Sequence, residues 1–433
     1  MRARITAMPS EELAIAPLTA PLDVSVTMPG SKSITNRAML LAAMASGRSV
    51  IEGALLSDDT RYMADALRTL GFEVDIAAAA RISIDGYGGA IPRADADLYV
   101  GGAGTAMRFL LPFLTLGRGR YRIDGNARMR QRPIGPLIAA MRRLGAEVRS
   151  ELGNDCPPVV LERTAEPFVG GAATIDAHES SQFVSAMLMP AALWPRGIEL
   201  TVEGDAARPF IDMTLALMSE WGARGAIEGD TIAVKGRQKY RALRFVVEPD
   251  ASAASYFAAA AALCGGSVTL QRLSRDSVQG DIGFLDVLER MGARVTWNPA
   301  SVTIAGTGNL AGVDVVMTSM PDMVATLAAI APFASSPTRI RGVGFIRHHE
   351  SDRIRALATE LRRIGAGVEE FNDGLLIMPG KLAPASIETY DDHRIAMSFA
   401  IAGLKLAGIR IRNPDCVAKT FPDFFKRLDA LRG

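Results

Sequence analysis

The stretch MPGSKSITNR occupies residues 28–37, and five later segments of the chain resemble it. A Pro-Gly turn leads into a small polar loop that contains Lys32 and Ser33, and an apolar run of helical length follows Arg37. The free N–H groups in the first turn of a helix bind anions, and the helix dipole favours negative charge there. The stretch therefore predicts an anion-binding helix start. Taken alone, it is equally compatible with a plain helix cap beside surface cations.

The composition indicates a globular protein of two domains. The chain has 433 residues, too many for one ordinary core, so two domains of about 200 residues are expected. Hydrophobic residues make up 48% and charged residues 22%, and no apolar run approaches the roughly 18 uncharged residues of a membrane span. The N-terminal residues lack the basic and apolar pattern of a signal peptide. We therefore expect a cytoplasmic protein with no membrane partner.

Charge and cysteine content narrow the possible partners. The formal net charge is +1, so the chain lacks the global positive field that nucleic-acid binders use, and no nucleic-acid partner is expected. An acidic ligand would have to be bound by local clusters of cations. The three cysteines, Cys156, Cys264 and Cys416, are far apart and show no CxxC spacing, which argues against a disulfide framework or a zinc site.

A first pattern recurs six times, at intervals of about 70 residues. It consists of a polar turn, a long helix rich in small residues and a β-branched segment. A second pattern, a helix that ends at a glycine and is followed by a strand, recurs five times and predicts a left-handed helix cap. The capping glycines are Gly71, Gly145, Gly222, Gly292 and Gly365. Each repeat is thus predicted to contain a helix, a strand, a second helix and further strands. Six such repeats predict two domains with three repeats each.

The ends of the chain suggest how the repeats close. The sixth repeat has its second helix, from Phe424 to Leu431, but the chain then stops without the following strands. The segment from Ile15 to Val26 has strand character and precedes the first repeat, so we expect it to complete the last repeat. The first domain would span residues 30–246, and the second residues 1–29 and 247–433. Two chain crossings of this kind predict a hinge and a cleft that closes on ligand.

Polar residues cluster at the predicted helix starts and in the loops that follow. For any one of them, a cap or a solvated charge is as good an explanation as a ligand contact. Six such sets at equivalent positions favour a site for polyanionic substrates, because cations and a few carboxylates would face one cleft. The residues are Lys32, Ser33, Arg37, Gly104, Thr105, Arg108, Arg128, Arg130, Arg132, Ser180, Ser181, Gln182, Asp250, Ser252, Asp322, His348, His349, Glu350, Ser351, Asp352, Arg353, Asp392, His393, Arg394 and Lys419.

Three sharper motifs are absent. Residues 28–37 do not match the phosphate-binding Gly-x4-Gly-Lys-Ser/Thr loop. Gly102-Ala103-Gly104 follows a predicted strand, but Met107 replaces the third glycine of a dinucleotide-binding turn. His349-Glu350 is not followed by the second histidine of a zinc-protease helix, because Arg353 stands there. We therefore predict no cofactor and no metal.

The chain resembles the 5-enolpyruvylshikimate-3-phosphate synthase family over essentially its whole length. The segments that carry the resemblance are PGSKSITNR, AGTAMR, RMRQRPIGPL, SSQF, RPFIDMT, PDM, ESDRI, DDHRIAM and AKTFPDFF. The resemblance implies the enolpyruvyl transferase fold, a two-domain inside-out α/β barrel of six βαβαββ-like units, three per domain, with the active site between the domains. It also implies transfer of the enolpyruvyl group of phosphoenolpyruvate to the 5-hydroxyl of 3-phosphoshikimate, with release of phosphate, in the shikimate pathway of aromatic amino acid biosynthesis.

The same resemblance implies roles for individual residues. Lys32 would touch both substrates and take part in catalysis, Asp322 would take the proton of the 5-hydroxyl, and Glu350 would be the acid for the methylene carbon. The residues implied to bind 3-phosphoshikimate are Lys32, Ser33, Arg37, Ser180, Ser181, Gln182, Asp322 and His349. Those implied to bind phosphoenolpyruvate are Lys32, Gly104, Arg128, Gln182, Arg353, Arg394 and Lys419.

Several positions depart from the family pattern. His349 stands where many members have a lysine that contacts substrate, and Gly102 stands where asparagine is frequent. Ala207 and Phe210 replace a frequent serine and tyrosine beside the substrate ring. Gly104 would leave space for glyphosate beside the phosphoenolpyruvate site, so sensitivity to that inhibitor is expected.

Two alternatives to this activity stay open. The first is the sister enolpyruvyl transferase that acts on UDP-N-acetylglucosamine, which usually carries a reactive cysteine in the loop of the second repeat. This chain has no cysteine before Cys156. The second is a catalytically inactive homologue that only binds small molecules. Against it argues the joint presence of Lys32, Asp322, Glu350, Arg353, Arg394 and Lys419. The repeats offer no obvious further interface, so a monomer is expected.

Overall fold

A computed structural model describes residues 12–77, 80–163, 166–204 and 207–432. The chain divides into two compact units, here called the first and second domains. The first domain comprises Met28–Ala251 and Asp276–Gly280, and the second comprises residues 12–27, 252–275 and 281–432.

Two strands precede the first repeat, and the first domain then contains three repeats. The N-terminal strands are β1 (Glu12–Ala14) and β2 (Leu22–Thr27). Repeat one contains α1 (Lys32–Met44), β3 (Ser46–Glu52), α2 (Asp58–Thr69), β4 (Glu73–Ala77) and β5 (Arg81–Tyr87). Repeat two contains β6 (Ala96–Tyr99), α3 (Gly104–Phe113), β7 (Gly119–Asp124), α4 (Gly135–Arg143), β8 (Glu147–Ser150) and β9 (Val159–Arg163). Repeat three contains β10 (Gly171–Asp176), α5 (Ser181–Ala191), β11 (Ile198–Glu203), α6 (Arg208–Glu220), β12 (Gly225–Glu228) and β13 (Thr231–Val234), and β14 (Arg244–Val246) follows it.

The second domain contains the other three repeats. Repeat four contains α7 (Ala251–Cys264), β15 (Gly266–Gln271), α8 (Phe284–Arg290), β16 (Arg294–Asn298) and β17 (Ser301–Gly306). Repeat five contains β18 (Asp314–Val316), α9 (Val324–Ile330), β19 (Thr338–Arg341), α10 (Arg353–Arg363), β20 (Gly367–Phe371) and β21 (Gly374–Met378). Repeat six contains β22 (Ser386–Ile387), α11 (His393–Gly403), β23 (Arg410–Arg412) and α12 (Phe424–Asp429).

Each repeat builds its own sheet to one plan, which repeat two shows completely. Strands β6 and β7 pair in parallel, with Leu98 opposite Ile123, and helix α3 makes the crossover that parallel pairing requires. Strand β9 pairs antiparallel with β7, and β8 forms a hairpin with β9, so the strand order is β6-β7-β9-β8. Within the described residues, five sheets have four strands in this order and the sixth has three.

The pairing of the N-terminal strands corrects one prediction. The segment from Ile15 to Val26 does not complete the last repeat, because its strand β2 pairs in parallel with β15 of repeat four, with Val24 opposite Val268. The preceding strand β1 completes repeat six instead, with Leu13 opposite Ile411 of β23. Repeat one is closed in the corresponding way by β14, which pairs in parallel with β3. The first strand of repeats one and four is thus supplied from outside the repeat.

The first helices of the repeats form the interior of each domain. Residues 34–44 of α1 and every residue of α3 are buried, and α3 packs against α5. A helix that is buried on all sides lies inside a core, so the sheets lie on the outside, which is the inside-out arrangement. The second helices are amphipathic and bury one face; α2 and α10 are examples.

The predicted helix-capping glycines are confirmed, and Gly30 has a separate steric role. The five glycines that follow the second helices, Gly71, Gly145, Gly222, Gly292 and Gly365, all have φ between 89° and 107°. After α2, the amide of Phe72 donates to the carbonyl of Leu67 at 3.0 Å, and the amide of Gly71 donates to Arg68 at 2.9 Å, which is the expected left-handed cap. Gly30 of the opening stretch is required by close approach, since a Cβ there would lie 1.9 Å from the carbonyl oxygen of Gly53.

Candidate active site

Lys32 is fixed at the start of α1 by two carboxylates of the first domain. Ser31 is the N-cap of this helix, and the backbone amide of Lys32 donates to Oδ2 of Asp250 at 3.0 Å. The Lys32 ammonium lies 3.3 Å from Oδ2 of Asp59, whose side chain is only 3% exposed. Sequence reasoning did not single out Asp59. The only sequence feature that marks Asp59 is the pair Asp58-Asp59 in the first turn of α2. Acidic residues are usual there because they interact favourably with the helix dipole.

Arg37 is a buried cation that neutral oxygen atoms hold in place. Its side chain is 2% exposed and stacks on the Phe109 ring at 4.9 Å. The guanidinium donates to Oγ1 of Thr214 at 2.8 Å and to Oγ of Ser185 at 3.2 Å. Burial lowers the pKa of Arg37 to about 9, because water is withdrawn from the charge. An anion beside it would offset this cost.

Further bonds join Arg37 to the backbone and connect the first and third repeats. It donates to the carbonyls of Ser33 at 3.0 Å and of Phe210 at 3.2 Å. Since Ser185 and Phe210 belong to the third repeat, the first helix start is tied to α5 and α6. The hydroxyl that a tyrosine would have at position 210 is missing, but the backbone contact at that position needs only a carbonyl group.

The starts of α3 and α5 meet through Gln182. Ser180 is the N-cap of α5, and its hydroxyl accepts the amide of Gln182 at 3.2 Å. The side-chain oxygen of Gln182 accepts from the Arg108 guanidinium at 2.9 Å. Ser181 opens the helix and is buried. The structure thus brings Ser180, Ser181 and Gln182 together with Arg108 of the preceding repeat.

Gly104 lies against the guanidinium of Arg132, and whether the site beside it accommodates glyphosate stays a prediction. A Cβ at this position would lie 2.6 Å from Nη1 of the buried Arg132 side chain.

The three arginines of the loop after β7, Arg128, Arg130 and Arg132, differ in their surroundings. Arg130 donates twice to Asp124, at 2.9 and 2.6 Å, which holds the pKa of Asp124 below its usual value. Arg128 is half-buried at the start of a 3₁₀ helix, and its contacts include Gln131 at 3.5 Å.

The second domain holds the densest cluster of charges, centred on the Arg353 guanidinium. This side chain is 2% exposed and begins α10. Its Nη1 lies 3.1 Å from Oδ1 of Asp322, and the other oxygen of Asp322 accepts from Arg394 at 2.6 Å. Asp322 therefore bridges two arginines. Its own side chain is 22% exposed, so solvent or substrate can reach it.

Glu350 makes a second bridge in this cluster. One oxygen accepts from Nη2 of Arg353 at 2.8 Å, and the other accepts from the Lys419 ammonium at 2.9 Å. Nδ1 of His349 lies 3.0 Å from Nη1 of Arg353. Because a guanidinium has only donors, Nδ1 must accept, and the His349 proton is then on Nε2. His349 thus takes part in the cluster as a neutral acceptor.

Asp392 bonds to the Arg353 cluster from its buried side. Its side chain is fully buried and accepts from Nε of Arg353 at 2.8 Å and from the Ser351 hydroxyl at 3.0 Å. Its other oxygen accepts the backbone amide of Arg394 at 3.0 Å, so Asp392 is also the N-cap of α11. Burial alone would lower the pKa of Arg353, but the surrounding carboxylates, above all Asp392, outweigh burial and raise it above its ordinary value.

The structure thus sorts the predicted site residues into two groups. Lys32, Ser33, Arg37, Gly104, Arg128, Ser180, Ser181 and Gln182 lie in the first domain, whereas Asp322, His349, Glu350, Arg353, Arg394 and Lys419 lie together in the second. The second group combines cations that can hold carboxylate and phosphate groups with two partly exposed carboxylates that can move protons. Among the described residues, no three His, Cys, Asp or Glu side chains are grouped so as to hold a metal ion.

Two further features lie apart from these groups. A cavity of about 500 Å³ in the first domain is lined by charged residues of α4 and the neighbouring strands, among them Arg142, Arg143, Asp176 and Glu203, and none of the predicted site residues is among the described residues that line it. No helix in the described part of the chain has both the length and the apolar character needed to cross a membrane.

Comparison with known proteins assigns the family. The sequence profile described as EPSP synthase (3-phosphoshikimate 1-carboxyvinyltransferase) matches residues 18–428. The 3-phosphoshikimate 1-carboxyvinyltransferase of Nostoc punctiforme is 46% identical over 420 residues, which cover 96% of this chain and 98% of that protein. The protein of the same name from Erwinia tasmaniensis is 43% identical, with 97% and 99% covered.

A solved structure agrees with the sequence relatives. The EPSP synthase of Acinetobacter baumannii superposes with a TM-score of 0.81 at 28% identity, over 97% of this chain and 98% of that one. The likeness in fold therefore extends over both domains and all six repeats. With a profile match and relatives that each span nearly the whole chain, the chain belongs to the EPSP synthase family.

Proposed function

We propose that the chain is a 3-phosphoshikimate 1-carboxyvinyltransferase of the shikimate pathway. The reaction joins the 5-hydroxyl oxygen of 3-phosphoshikimate to C2 of phosphoenolpyruvate and releases inorganic phosphate. The observation that carries the proposal is the arrangement of carboxylates around Arg353, where Asp322 and Glu350 occupy different nitrogens of one guanidinium. The reaction is an addition followed by an elimination at one carbon, and it needs proton transfer at both the 5-hydroxyl oxygen and the methylene carbon. Two partly exposed carboxylates that lie this close can each carry out one of these transfers.

Proton transfer is assigned to the two carboxylates. As the 5-hydroxyl oxygen attacks C2, Asp322 takes the hydroxyl proton. Glu350, which must first take up a proton from solvent as the substrate displaces its cationic partners, gives that proton to the methylene carbon, and a tetrahedral intermediate with a methyl group results. The intermediate then loses a methyl proton to a base and its phosphate group as the leaving group, and the carbon–carbon double bond forms again. Both carboxylates are ion-paired in the free protein, which places each beside the cations that would hold the substrate.

Phosphoenolpyruvate is assigned to the cations of the second domain, with Lys32, Gly104, Arg128 and Gln182 as further contacts. Arg353, Arg394 and Lys419 suit a substrate that carries both a carboxylate and a phosphate group, since guanidinium groups bind such oxygens in pairs. Arg394 is only 6% and Lys419 only 16% exposed, so their bonds to an anion would be poorly screened by water.

Binding of 3-phosphoshikimate is assigned to the first-domain helix starts. Lys32, Ser33, Ser180 and Ser181 present hydroxyls, amides and an ammonium group at the N-termini of α1 and α5, where the helix dipole favours phosphate. Arg37 is buried, and its guanidinium already donates to Thr214 and Ser185. It would therefore act on the substrate through its positive charge and through an N–H group that these bonds do not use. Many members of the family have a lysine at the position of His349. In this chain the contact to the substrate would instead be a hydrogen bond donated by Nε2 of His349.

One assay tests the proposal against its alternatives. Purified protein is given phosphoenolpyruvate with either 3-phosphoshikimate or UDP-N-acetylglucosamine, and released phosphate is measured. Turnover with 3-phosphoshikimate alone is expected. Turnover with the UDP-sugar would assign the sister activity, and binding without turnover of either would assign an inactive homologue. We further propose a cytoplasmic monomer, and sedimentation velocity at several protein concentrations tests the monomeric state.

A further inference from the structure

The turn that precedes α11 has a strained backbone. The amide of Asp392 donates to the carbonyl of Thr389 at 2.8 Å, which closes a four-residue turn. Both central residues have positive φ, 54° at Tyr390 and 55° at Asp391. Turns of this hand usually contain glycine, asparagine or aspartate, because the left-handed region is unfavourable for most residues that carry a Cβ. Asp391 is therefore usual here, whereas a tyrosine adopts this conformation only where neighbouring groups hold it there.

Asn413 donates to Oδ1 of Asp391 in this turn at 3.2 Å, and the tyrosine is held by Glu360. Its carboxylate is completely buried on α10 and accepts the Tyr390 hydroxyl at 2.8 Å. It also accepts the backbone amide of Glu388 at 3.1 Å and Nε of Arg363 at 2.8 Å. Burial and the hydrogen bond to Glu360 raise the pKa of Tyr390 to about 12, so the phenol stays protonated and keeps donating at neutral pH.

The segment 388–392 is therefore attached to one helix at two points. At one end, Glu360 binds Glu388 and Tyr390; at the other, Arg353 donates to Asp392 at 2.8 Å. Arg353 and Glu360 lie seven residues apart on α10, which is two helical turns or roughly 10 Å. A segment attached at both ends of this span has little freedom to move along the helix.

These attachments determine where the arginines of the cluster point. Asp392 fixes Nε of Arg353 and caps α11 through the amide of Arg394, so displacement of Asp392 would move both side chains. We propose that Glu360 and Tyr390 form a latch that holds the strained turn 389–392 and thereby positions Arg353 and Arg394. Glu360 and Tyr390 are positioning residues, since they act through Asp392. The predicted effect on substrate rests on the proposed function, in which the two arginines bind phosphoenolpyruvate.

Three variants separate this latch from a general role in stability. Tyr390→Phe keeps the ring and removes the hydroxyl that Glu360 accepts. Tyr390→Gly removes the same hydroxyl and also relieves the backbone, because glycine adopts positive φ without steric cost, and it leaves the bond from Asn413 to Asp391 in place. The control is Tyr121→Phe, which removes a hydroxyl bonded at 2.9 Å to the carbonyls of Arg93 and Arg118 in the first domain.

The first readout needs no activity. Amide hydrogen exchange is followed in peptides that cover residues 386–396, which contain the amides of Asp392 and Arg394. Tyr390→Phe should speed exchange there by about twofold to tenfold, the loss of one ordinary hydrogen bond, whereas Tyr121→Phe should leave it unchanged. Tyr390→Gly should exchange more slowly than Tyr390→Phe, because it loses the same hydroxyl but not the favoured backbone conformation. Unchanged exchange in Tyr390→Phe, or exchange in Tyr390→Gly that is as fast as in Tyr390→Phe or faster, overturns the latch.

The second readout uses the enzyme. Tyr390→Phe should raise KM for phosphoenolpyruvate by about twofold to tenfold and leave KM for 3-phosphoshikimate within error. Equal increases in both constants would indicate a general structural loss and would overturn the positioning role. A wild-type protein without turnover would contradict the proposed function instead, and the exchange measurement would still decide the latch.

Discussion

The substitution Asp322→Asn tests the assigned base most directly. Asn keeps the size of the side chain and one accepting oxygen, so its bonds to Arg353 and Arg394 can persist in part. It cannot accept a proton from a hydroxyl group. A positioned general base contributes about 10²- to 10⁴-fold to the rate, so kcat should fall by at least about 100-fold.

The same substitution should leave phosphoenolpyruvate binding intact or strengthen it. It removes one negative charge beside two arginines, and that charge would repel a substrate anion about 4 Å away by up to about 4 kcal/mol at an effective dielectric constant of about 20. The Asp322 side chain is 22% exposed, so screening should reduce this to about 1 kcal/mol, or roughly a fivefold gain in affinity. A large fall in kcat with unchanged or tighter binding is a combination that simple misfolding does not produce.

The assay combines steady-state phosphate release with calorimetric titration of phosphoenolpyruvate into the protein alone, so that the wild type binds without turnover. The matched control is Asp314→Asn, which changes an exposed aspartate of the same domain that pairs with Arg341 at 2.8 Å. The control should retain wild-type kcat, because exposed ion pairs contribute little. If Asp322→Asn keeps kcat within threefold of wild type, Asp322 is not the base. If binding weakens as much as kcat/KM, its role is to hold the arginines.

Three other predictions follow from single contacts. Gly104→Ala places a methyl group 2.6 Å from the Arg132 guanidinium, which must move; the inhibition constant for glyphosate and KM for phosphoenolpyruvate should both rise, and an unchanged inhibition constant would refute the proposed position of Gly104 beside that site. Asp392→Asn leaves buried Arg353 without its strongest ion pair, so urea unfolding should show a loss of about 3 kcal/mol, and a loss below about 1 kcal/mol would contradict this view of the pair. Burial raises the pKa of Tyr256 to about 12 from an ordinary value of 10, so the folded state retains this proton longer than the unfolded state does; stability should therefore fall between pH 10 and 12, and Tyr256→Phe should reduce the fall, as alkaline thermal melts can measure.

The sequence predicts the local structure of this chain well because the signals there are local. A glycine after a periodic apolar stretch, such as Gly71 or Gly365, requires only that the next residues turn back, and both have the expected positive φ. Six polar helix starts at equal spacing likewise indicate six repeats, because a spacing of about 70 residues does not arise from single-helix periodicity.

Strand partners and charge partners could not be read in the same way. Nothing in the period-two pattern of β2 indicates whether it pairs with β15 or with the last repeat, since either neighbour would bury the same face. Asp59 is 27 residues from Lys32, and its acidic pair with Asp58 has the usual composition of a helix start. The neighbour of Gly104 cannot be read from the sequence for a related reason, because the side chain beside it belongs to Arg132, 28 residues away.

The ion pairing of the free protein links substrate binding to proton transfer. The cations assigned to phosphoenolpyruvate are occupied by carboxylates assigned to catalysis: Arg353 and Arg394 by Asp322, and Lys419 by Glu350. A substrate anion that enters this cluster must take some of these hydrogen bonds from the two carboxylates. A carboxylate that loses a cationic partner accepts a proton more readily, so the binding of one substrate prepares the groups that act on both. Removing the charge of a single cation, as in Lys419→Met, should therefore alter the pH profile of kcat as well as the affinity for phosphoenolpyruvate, whereas a cation that only binds substrate would change the affinity alone.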